Sequence, residues 1–363
     1  VNRIVCLEVG KYNLLVREVI DISTVVTFPI GVRSNRVKPG LLITPIIADY
    51  IAREFQIPSV IALNVLDSYE KRFEYIKPYL KILKEMDIEF NRIWIDEENK
   101  NQLTNNLHIL YKKQILKKKM NMVYSCDCGK VQFVESAFKN IHKGARLYEV
   151  KDTEVICNSC NSSCDKVEQE VLTISFSKET IKKEIFPKLM VKEVKELDNR
   201  LTSMEYLVSR NRDTGIIFTI EGKKFNIDVD FFWLGYLNQF SDNHYILVGS
   251  NHVTWHLCLA SRVVQSLNPE TKITLVLTPY VYNKNNVDEN SIPLKKEIFK
   301  WIVYSHITWK KQDTNWNQSL ISQISRIEQL KSMCKHEKYH YSYEKLENSL
   351  SFLNANNCLK KMK

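Results

Sequence analysis

Three features that would assign a chain to a membrane, to secretion or to a repeat architecture are missing from this sequence. No apolar run approaches the roughly 20 residues that a membrane-spanning helix needs. The N-terminus lacks the short apolar core of a signal peptide, and no segment recurs at a fixed period. We therefore expect a soluble, cytoplasmic protein with no membrane partner.

Cysteines are sparse outside one short segment, which argues against the disulfide scaffold of a secreted protein. Five of the nine cysteines lie between residues 126 and 164. A large chain with clustered cysteines is more typical of metal binding than of disulfides. The remaining four carry no recognisable spacing: Cys6, Cys258, Cys334 and Cys358.

The size and the charge of the chain are its broadest positive features. A length of 363 residues predicts two domains, or one large domain with an insertion. The net charge of +10 favours an anionic partner, nucleic acid above all. However, the lysines cluster at residues 112–119 and 182–195, which is typical of solvated helical faces. An AT-rich genome would produce the same bias, so nucleic acid remains one possible partner among several.

The first third of the chain predicts a βαβ unit. Short strands up to residue 30 are followed by a Pro-Gly turn and by a helix from about Leu41 to Phe55, with apolar residues at helical spacing. The run "PSVIALNVLD" then predicts a buried strand that ends at Asp67. This order gives a parallel sheet, and ligands of such sheets bind beyond the carboxyl ends of the strands.

The rest of the chain predicts an interrupted sheet. Residues 69–119 have a helical, charged pattern, and the cysteine-rich segment follows them. The strands "HYILVG" and "KITLVLTPYVY", with the helix "HLCLASRVVQSL" between them, form a second α/β portion, and the chain after residue 293 has a helical pattern. We therefore predict an α/β fold with a parallel sheet that is interrupted by an inserted, cysteine-rich module. The predicted divisions are residues 1–120, 121–196, 197–295 and 296–363, the last of them a helical region.

The strongest local signal is a pair of cysteine pairs. Cys126 and Cys128 form a Cys-x-Cys pair, and Cys157 and Cys160 form a Cys-x-x-Cys pair. Zinc takes four tetrahedral ligands, usually two from each of two loops, so the spacing predicts one zinc ion. Four thiolates leave no place for a reactive water, which makes the zinc structural. Two alternatives remain, a cluster without metal and Cys164 in place of Cys160.

The segment "VKPGLLITPIIADY" predicts an anion site. Its turn opens onto a helix, and Gly40 lets a ligand approach the free N–H groups of the first helical turn. Lys38 lies beside this turn, and no acidic residue caps the helix. The alternative is an ordinary loop-to-helix junction.

Three further segments carry candidate ligand-binding residues. In "YILVGSNHVTWH", His252 and His256 lie four residues apart, on one face of a helix beginning there, and are either ligand contacts or ordinary surface or core histidines. Arg210, in "YLVSRNRDTG", can hold phosphate or carboxylate or can be surface charge. Lys284 is the one lysine of the loop "YNKNN".

Taken in order, these segments resemble the catalytic domain of class I aminoacyl-tRNA synthetases of the glutamyl and methionyl types. The run "KPGLLITPIIADYIAREF" resembles the stretch that begins at the first signature of the family, with Gly40 at the glycine of that signature. "VYSCDCGK" resembles the glutamyl-type zinc module, and "YLVSR" resembles a methionyl-type stretch. "VGSNHVTWH" resembles the segment that contacts ribose and amino acid.

The sheet geometry and the resemblance together imply a set of site residues. Catalytic roles fall to Lys38, Gly40 and Lys284, nucleotide binding to Pro39, Thr44, Gly249, Asn251 and His252, and amino-acid binding to Asp67, Arg210 and His256. The sequence also departs from the family. Lys38 and Leu41 stand at the two signature histidines, and Asn251 stands where an acidic residue would hold the ribose.

The resemblance implies a Rossmann-type parallel sheet split by a zinc-binding insertion. It also implies ATP-dependent activation of an amino acid and its transfer to tRNA or another acceptor. The implied cofactor is structural zinc, and ATP with magnesium is a substrate. The loss of both signature motifs favours a second hypothesis, an inactive pseudo-synthetase that binds nucleotide, amino acid or RNA in a regulatory or scaffolding role. The retained Gly40 and His256 favour the enzyme.

Overall fold

Strands and helices alternate along the chain, as the sequence predicts for an α/β protein. The computed structural model describes residues 3–9, 12–18, 24–31, 40–65, 73–137, 148–176, 183–186, 191–202, 205–212, 215–228, 243–249, 260–278, 281–282 and 314–315. The helices are α1 (Gly40–Phe55), α2 (Phe73–Glu85), α3 (Lys100–Lys112), α4 (Val191–Thr202) and α5 (Ala260–Leu267), with a 3-10 turn at Val134–Ser136. The strands are β1 (Arg3–Val9), β2 (Tyr12–Glu18), β3 (Thr24–Gly31), β4 (Ser59–Asn64), β5 (Arg92–Ile95), β6 (Leu116–Cys126), β7 (Val131–Phe133), β8 (Tyr148–Lys151), β9 (Glu154–Cys157), β10 (Cys164–Ile174), β11 (Lys183–Phe186), β12 (Tyr206–Leu207), β13 (Ser209–Arg210), β14 (Ile216–Ile220), β15 (Lys223–Ile227), β16 (Asn243–Gly249), β17 (Lys272–Thr278), β18 (Val281–Tyr282) and β19 (Thr314–Asn315).

A six-stranded parallel sheet forms the centre of the described chain. Its strand order is β11-β17-β16-β3-β4-β5, and every neighbouring pair is parallel. The strands β3, β4 and β5 come from the first half of the chain, whereas β16 and β17 come from the second half. The strand order reverses at β3, as it does in a Rossmann-type fold. The predicted fold class is therefore confirmed.

Helices cover both faces of this sheet, which explains its continuous apolar strands. On one face, Val26 and Phe28 of β3 belong to the same buried cluster as the apolar residues of α1 and α2. On the other face, Val25 belongs to a cluster with Leu107 of α3 and Val263 of α5. Successive strand residues thus point to opposite layers, as the period of two requires.

Helix α1 was predicted almost to the residue, and it contains a proline with a structural consequence. The N–H of residue 45 would normally bond the carbonyl of Leu41, but Pro45 has no N–H. The hydroxyl of Tyr79 in α2 donates to that carbonyl at 3.0 Å instead. Burial raises the pKa of Tyr79, so its hydroxyl keeps the proton that it donates.

The prediction of helix throughout residues 69–119 is wrong in two places. The run "RIWI" forms β5 at one edge of the main sheet, and β6 begins at Leu116. A short apolar run has no periodicity that separates strand from helix. Here the pairing of β5 with β4, and of β6 with β10, decides the conformation.

Part of the first lysine cluster therefore lies on a strand and not on a solvated helical face. Lys118, on β6, lies 3.6 Å from Glu170 of β10 and also bonds Glu221. Lys119 bonds Glu205. These positive charges are thus partly neutralised within the chain.

The insertion is built around a long antiparallel ribbon. Strands β6 and β10 pair along their whole length, from Leu116 opposite Ile174 to Cys126 opposite Cys164. Strands β7 and β12 complete this sheet, and β8 and β9 form a separate hairpin. The cysteine-bearing turns therefore lie at the end of the ribbon that is remote from α3.

The predicted divisions at residues 121, 197 and 296 stay predictions. Of the region after residue 293, the structure describes only Thr314–Asn315, which form the strand β19 beside β18 and not a helix. The helical prediction for the rest of that region lies outside the described residues. Among the described helices, none is long and apolar enough to cross a membrane.

Candidate functional site

Two tight turns present the four predicted cysteine ligands. In the first turn, Cys126 ends β6, its N–H donates to the carbonyl of Lys130 at 3.0 Å, and the N–H of Gly129 donates to the carbonyl of Cys126 at 2.8 Å. Gly129 has a φ of +81°, a left-handed conformation that favours glycine. This turn places the sulfur atoms of Cys126 and Cys128 in the same group.

The second turn repeats this arrangement at the end of β9. The N–H of Cys157 donates to the carbonyl of Ser162 at 2.9 Å, and the N–H of Asn161 donates to the carbonyl of Cys157 at 2.8 Å. Asn161 takes the left-handed conformation here with a φ of 59°, which asparagine tolerates better than most residues. Two similar turns therefore face each other across the tip of the ribbon.

The four sulfur atoms form one compact group. The Sγ atoms of Cys126 and Cys160 are 3.2 Å apart, those of Cys128 and Cys157 are 3.8 Å apart, and all four lie within 4.8 Å of one another. Zinc–sulfur bonds of about 2.3 Å in a tetrahedron require sulfur atoms about 3.8 Å apart. The donor set and its size therefore fit a tetrahedral metal ion.

The fifth cysteine lies next to this group but outside it. Cys164 is directly opposite Cys126 in the β6–β10 register, and its Sγ lies 3.8 Å from the carbonyl oxygen of Ser162. The geometric group is completed by Cys160. The geometry therefore favours Cys160 over Cys164 as the fourth member of the group.

The thiols of the group differ in their electrostatic surroundings. Burial raises the pKa of Cys126 and of Cys157. Burial also acts to raise the pKa of Cys160, but hydrogen bonds from the backbone of Ser162 and from the side chain of Cys126 outweigh it and lower that pKa to about 6. These hydrogen bonds therefore favour the thiolate of Cys160, and a bound cation would favour deprotonation of all four thiols.

A second candidate region lies where β3 and β16 separate. Their ladder ends at Thr27 opposite Ile246, although β3 continues beside β4 to Gly31 and β16 continues beside β17 to Gly249. This gap in the ladder lies at the carboxyl ends of the strands, where the strand order reverses. Ligands of open α/β sheets bind in such crevices.

The end of this ladder has a cause in the sequence. The N–H of Val26 donates to the carbonyl of Pro58, which immediately precedes β4. Since N–H groups of alternate strand residues point to the same neighbour, the nitrogen of Pro29 faces β16. Proline cannot donate a hydrogen bond, so the ladder cannot continue there. A proline inside an otherwise apolar strand was the available signal, and the sequence reasoning missed it.

The structure brings three of the predicted site residues to the carboxyl edge of the sheet, Thr44 and Gly249 from the nucleotide-binding set and Gly40 from the catalytic set. The Oγ1 atoms of Thr44 and Thr278 are 3.3 Å apart, which fixes the N-terminal part of α1 beside the end of β17. Gly249 is the register partner of Thr278. Gly40 begins α1, one turn before Thr44. The first turn of α1 therefore lies on the same edge as the crevice.

Two buried residues, Thr27 at the end of the β3–β16 ladder and Asp96 after the edge strand β5, were not predicted from the sequence. Thr27 is completely buried, and within the described part of the chain its hydroxyl has no hydrogen-bond partner. Asp96, also completely buried, accepts the N–H groups of Val65 and Glu97 at 2.9 Å and so fixes the chain after β4 and β5. No spacing in the sequence distinguishes either residue.

Arg210 lies away from solvent and is held by the chain itself. Its guanidinium bonds the carboxylate of Asp228 and donates to the carbonyl of Val131. Its side chain is 10% exposed. The carboxylate nearest to Arg210 is therefore that of Asp228, and the predicted contact with an amino-acid substrate stays a prediction.

The remaining predicted site residues lie outside the described residues, so their predicted roles are untested. They are Lys38, Pro39, Asp67, Asn251, His252, His256 and Lys284.

Solved structures with the same fold include the methionyl-tRNA synthetase of Mycobacterium tuberculosis. In complex with methionyl-adenylate, that enzyme gives a TM-score of 0.63 at 11% sequence identity, over 83% of this chain and 68% of the synthetase chain. Its apo form gives a TM-score of 0.60 at 13% identity, over 83% and 65% of the two chains. No protein-family model and no curated protein matches the sequence. Since identity this low shows the fold alone, the chain has a class I synthetase-like fold.

Proposed function

We propose that this protein activates an amino acid with ATP and transfers the acyl group to tRNA or another acceptor, in the cytoplasm. The observation that carries the proposal is the crevice between β3 and β16, with the N-terminus of α1 on the same edge of the sheet. A structure of the same fold holds methionyl-adenylate, the product of such an activation step.

The activation step needs alignment more than it needs a reactive side chain. The carboxylate of the amino acid attacks the α-phosphorus of ATP, and magnesium pyrophosphate leaves, so that an aminoacyl-adenylate forms. Catalysis then depends on positioning the two groups and on stabilising the charge of the departing pyrophosphate. The free N–H groups of the first turn of α1 supply part of that stabilisation, and Gly40 leaves room for the phosphates.

Other residues of the chain complete the proposed site. Lys38 adds positive charge beside the phosphates, and Lys284 adds further positive charge from the second half of the chain. Pro39 and Thr44 shape the phosphate turn, while Gly249, Asn251 and His252 contact the adenosine, and Asp67, Arg210 and His256 contact the amino acid. Among the described residues the buried hydroxyl of Thr27 has no hydrogen-bond partner, and this supports a polar ligand in the crevice, since buried hydroxyls usually have a partner.

The cysteine group holds one structural zinc ion in this proposal. Cys126, Cys128, Cys157 and Cys160 would supply four thiolates, and such a closed set stabilises folding without taking part in chemistry. Zinc would therefore fix the tip of the β6–β10 ribbon.

A second candidate function is supported by the altered signature residues. Lys38 and Leu41 replace the two signature histidines of the family, and "YNKNN" contains one lysine only. A pseudo-synthetase would keep the crevice and bind nucleotide, amino acid or RNA without turnover.

Two measurements on the wild-type protein separate these functions. ATP–pyrophosphate exchange is measured with each of the 20 amino acids, with and without a tRNA pool, and the enzyme is expected to respond to one amino acid. Calorimetry with non-hydrolysable aminoacyl-adenylate analogues reports binding alone. Binding without exchange identifies a pseudo-synthetase that keeps a working crevice. The absence of both contradicts the enzyme and leaves a pseudo-synthetase with RNA as its ligand.

A further inference from the structure

The first turn of α1 is held less firmly by the helix itself than an ordinary first turn. The first four N–H groups of a helix have no acceptor within the helix. Pro45 also removes one of the first hydrogen bonds inside the helix, since it has no N–H to donate to the carbonyl of Leu41. The segment beginning at Gly40 therefore depends on contacts from outside the helix for a fixed position.

Two hydroxyl groups supply these contacts from different parts of the fold. Tyr79 belongs to α2, which follows β4, and its hydroxyl donates to the carbonyl of Leu41 at 3.0 Å. Thr278 ends β17 in the second half of the chain, and its hydroxyl lies 3.3 Å from that of Thr44. Tyr79 is completely buried and Thr278 is 1% exposed, so water does not compete for either bond.

We propose that the hydroxyl groups of Tyr79 and Thr278 are positioning groups that fix the first turn of α1 for the phosphates of ATP. This inference rests on the proposed function for the identity of the ligand. Neither hydroxyl touches the ligand. Each acts through a residue of α1, Tyr79 through the carbonyl of Leu41 and Thr278 through the side chain of Thr44. Because one contact comes from each half of the split sheet, the turn keeps its place only when both halves are assembled.

The test measures the dissociation constants of ATP and of adenosine in parallel. Tyr79→Phe and Thr278→Val each remove one hydroxyl and keep the size of the side chain. We expect each substitution to weaken ATP binding about fivefold, as the loss of one neutral hydrogen bond typically does. Adenosine binding is expected to stay unchanged, because adenosine has no phosphate to meet the turn. Thr278→Ser keeps the hydroxyl and should restore ATP binding.

Tyr111→Phe is the matched control, since the hydroxyl of Tyr111 bonds Glu221 on the exposed surface. Tyr111→Phe should change neither the dissociation constant of ATP nor that of adenosine. Equal weakening of ATP and adenosine by Tyr79→Phe would indicate general damage to the crevice and overturn the inference, as would ATP binding at the wild-type level.

A measurement without ligand separates this inference from the proposed function. Amide hydrogen exchange of Ile46 and Ile47, whose N–H groups the helix bonds to carbonyls of its first turn, should accelerate in Tyr79→Phe and Thr278→Val but not in Tyr111→Phe. Faster exchange together with no ATP binding by the wild type would contradict the proposed function alone. Unchanged exchange would show that the hydroxyls do not hold the turn, and would overturn the inference whatever the ligand.

Discussion

Pro29 and Arg210 show what single residues contribute to this fold. Pro29 ends the β3–β16 ladder by lacking one hydrogen atom, and the crevice begins at that point. Arg210 was predicted from its place in a polar turn, but its environment is decided by Asp228, 18 residues further along the chain. A sequence shows the proline directly, whereas the partner of a buried charge emerges only from the folded chain.

The Arg210–Asp228 pair gives a first prediction at the residue scale. The two side chains are 10% and 6% exposed, so Asp228→Ala leaves a buried guanidinium without its carboxylate. We expect the free energy of unfolding in urea to fall by about 3–5 kcal/mol. Glu85→Ala is the control, because its pair with Lys81 is exposed and contributes little. Equal effects of the two substitutions would contradict the structural role of the pair.

The cysteine group gives a second prediction at the same scale. The wild-type protein should contain about one zinc per chain, and Cys128→Ser should lose the metal and destabilise the tip of the ribbon, because zinc binding is coupled to folding. Cys164→Ser should keep the metal, because its sulfur faces the carbonyl of Ser162. Metal analysis and limited proteolysis are the measurements. A metal-free wild type with an ordered ribbon tip, or loss of zinc from Cys164→Ser, would contradict the assignment.

At the element scale, the first cysteine turn is fastened to the segment that carries Arg210. The N–H of Asn211 donates to the carbonyl of Gly129 at 3.0 Å, and the side chain of Asn211 donates to Ser125 at 3.0 Å. Hydrogen bonds therefore join the first cysteine turn directly to the residue that follows β13. The elements most accurately predicted, α1 and β16, have strong local patterns, whereas β4 was predicted to continue to Asp67 but ends at Asn64. The strands β5 and β6 were missed because their partners determine them.

Gly129 provides a prediction for this docking. A side-chain Cβ at this position would lie 2.3 Å from Cγ of Arg212 and 2.4 Å from the carbonyl oxygen of Asn211. Gly129→Ala should therefore separate the turn from β13, lower the thermal midpoint and weaken zinc retention against a chelator. Gly222→Ala is the matched control, since Gly222 has a φ of +76° but no atom within 4 Å of its Cβ position. Gly222→Ala should lower the free energy of unfolding by only about 1 kcal/mol, the cost of a side chain in the left-handed conformation. Identical behaviour of the two variants would show that the close approach has no role.

At the scale of the whole molecule, the net charge of +10 gives a prediction about nucleic acid. Lys118 and Lys119 already pair with carboxylates of the chain, so RNA binding must use the remaining lysines. If a tRNA pool binds, its affinity should fall steeply between low and physiological salt, since phosphate contacts release counterions. Electrophoretic mobility shift at two salt concentrations measures this. No retardation at low salt would remove RNA from the partners.

The sequence by itself predicted the fold class and a compact group of clustered cysteines. Apolar periodicity and the Pro-Gly turn are local features, so α1 and β4 follow from them, and two close cysteine pairs are sufficient to predict a four-sulfur group. The tertiary structure alone decided which of the five cysteines lies outside that group and which hydroxyls hold α1. These depend on residues more than 30 positions apart, such as Thr44 and Thr278, and no local pattern records a contact of that range.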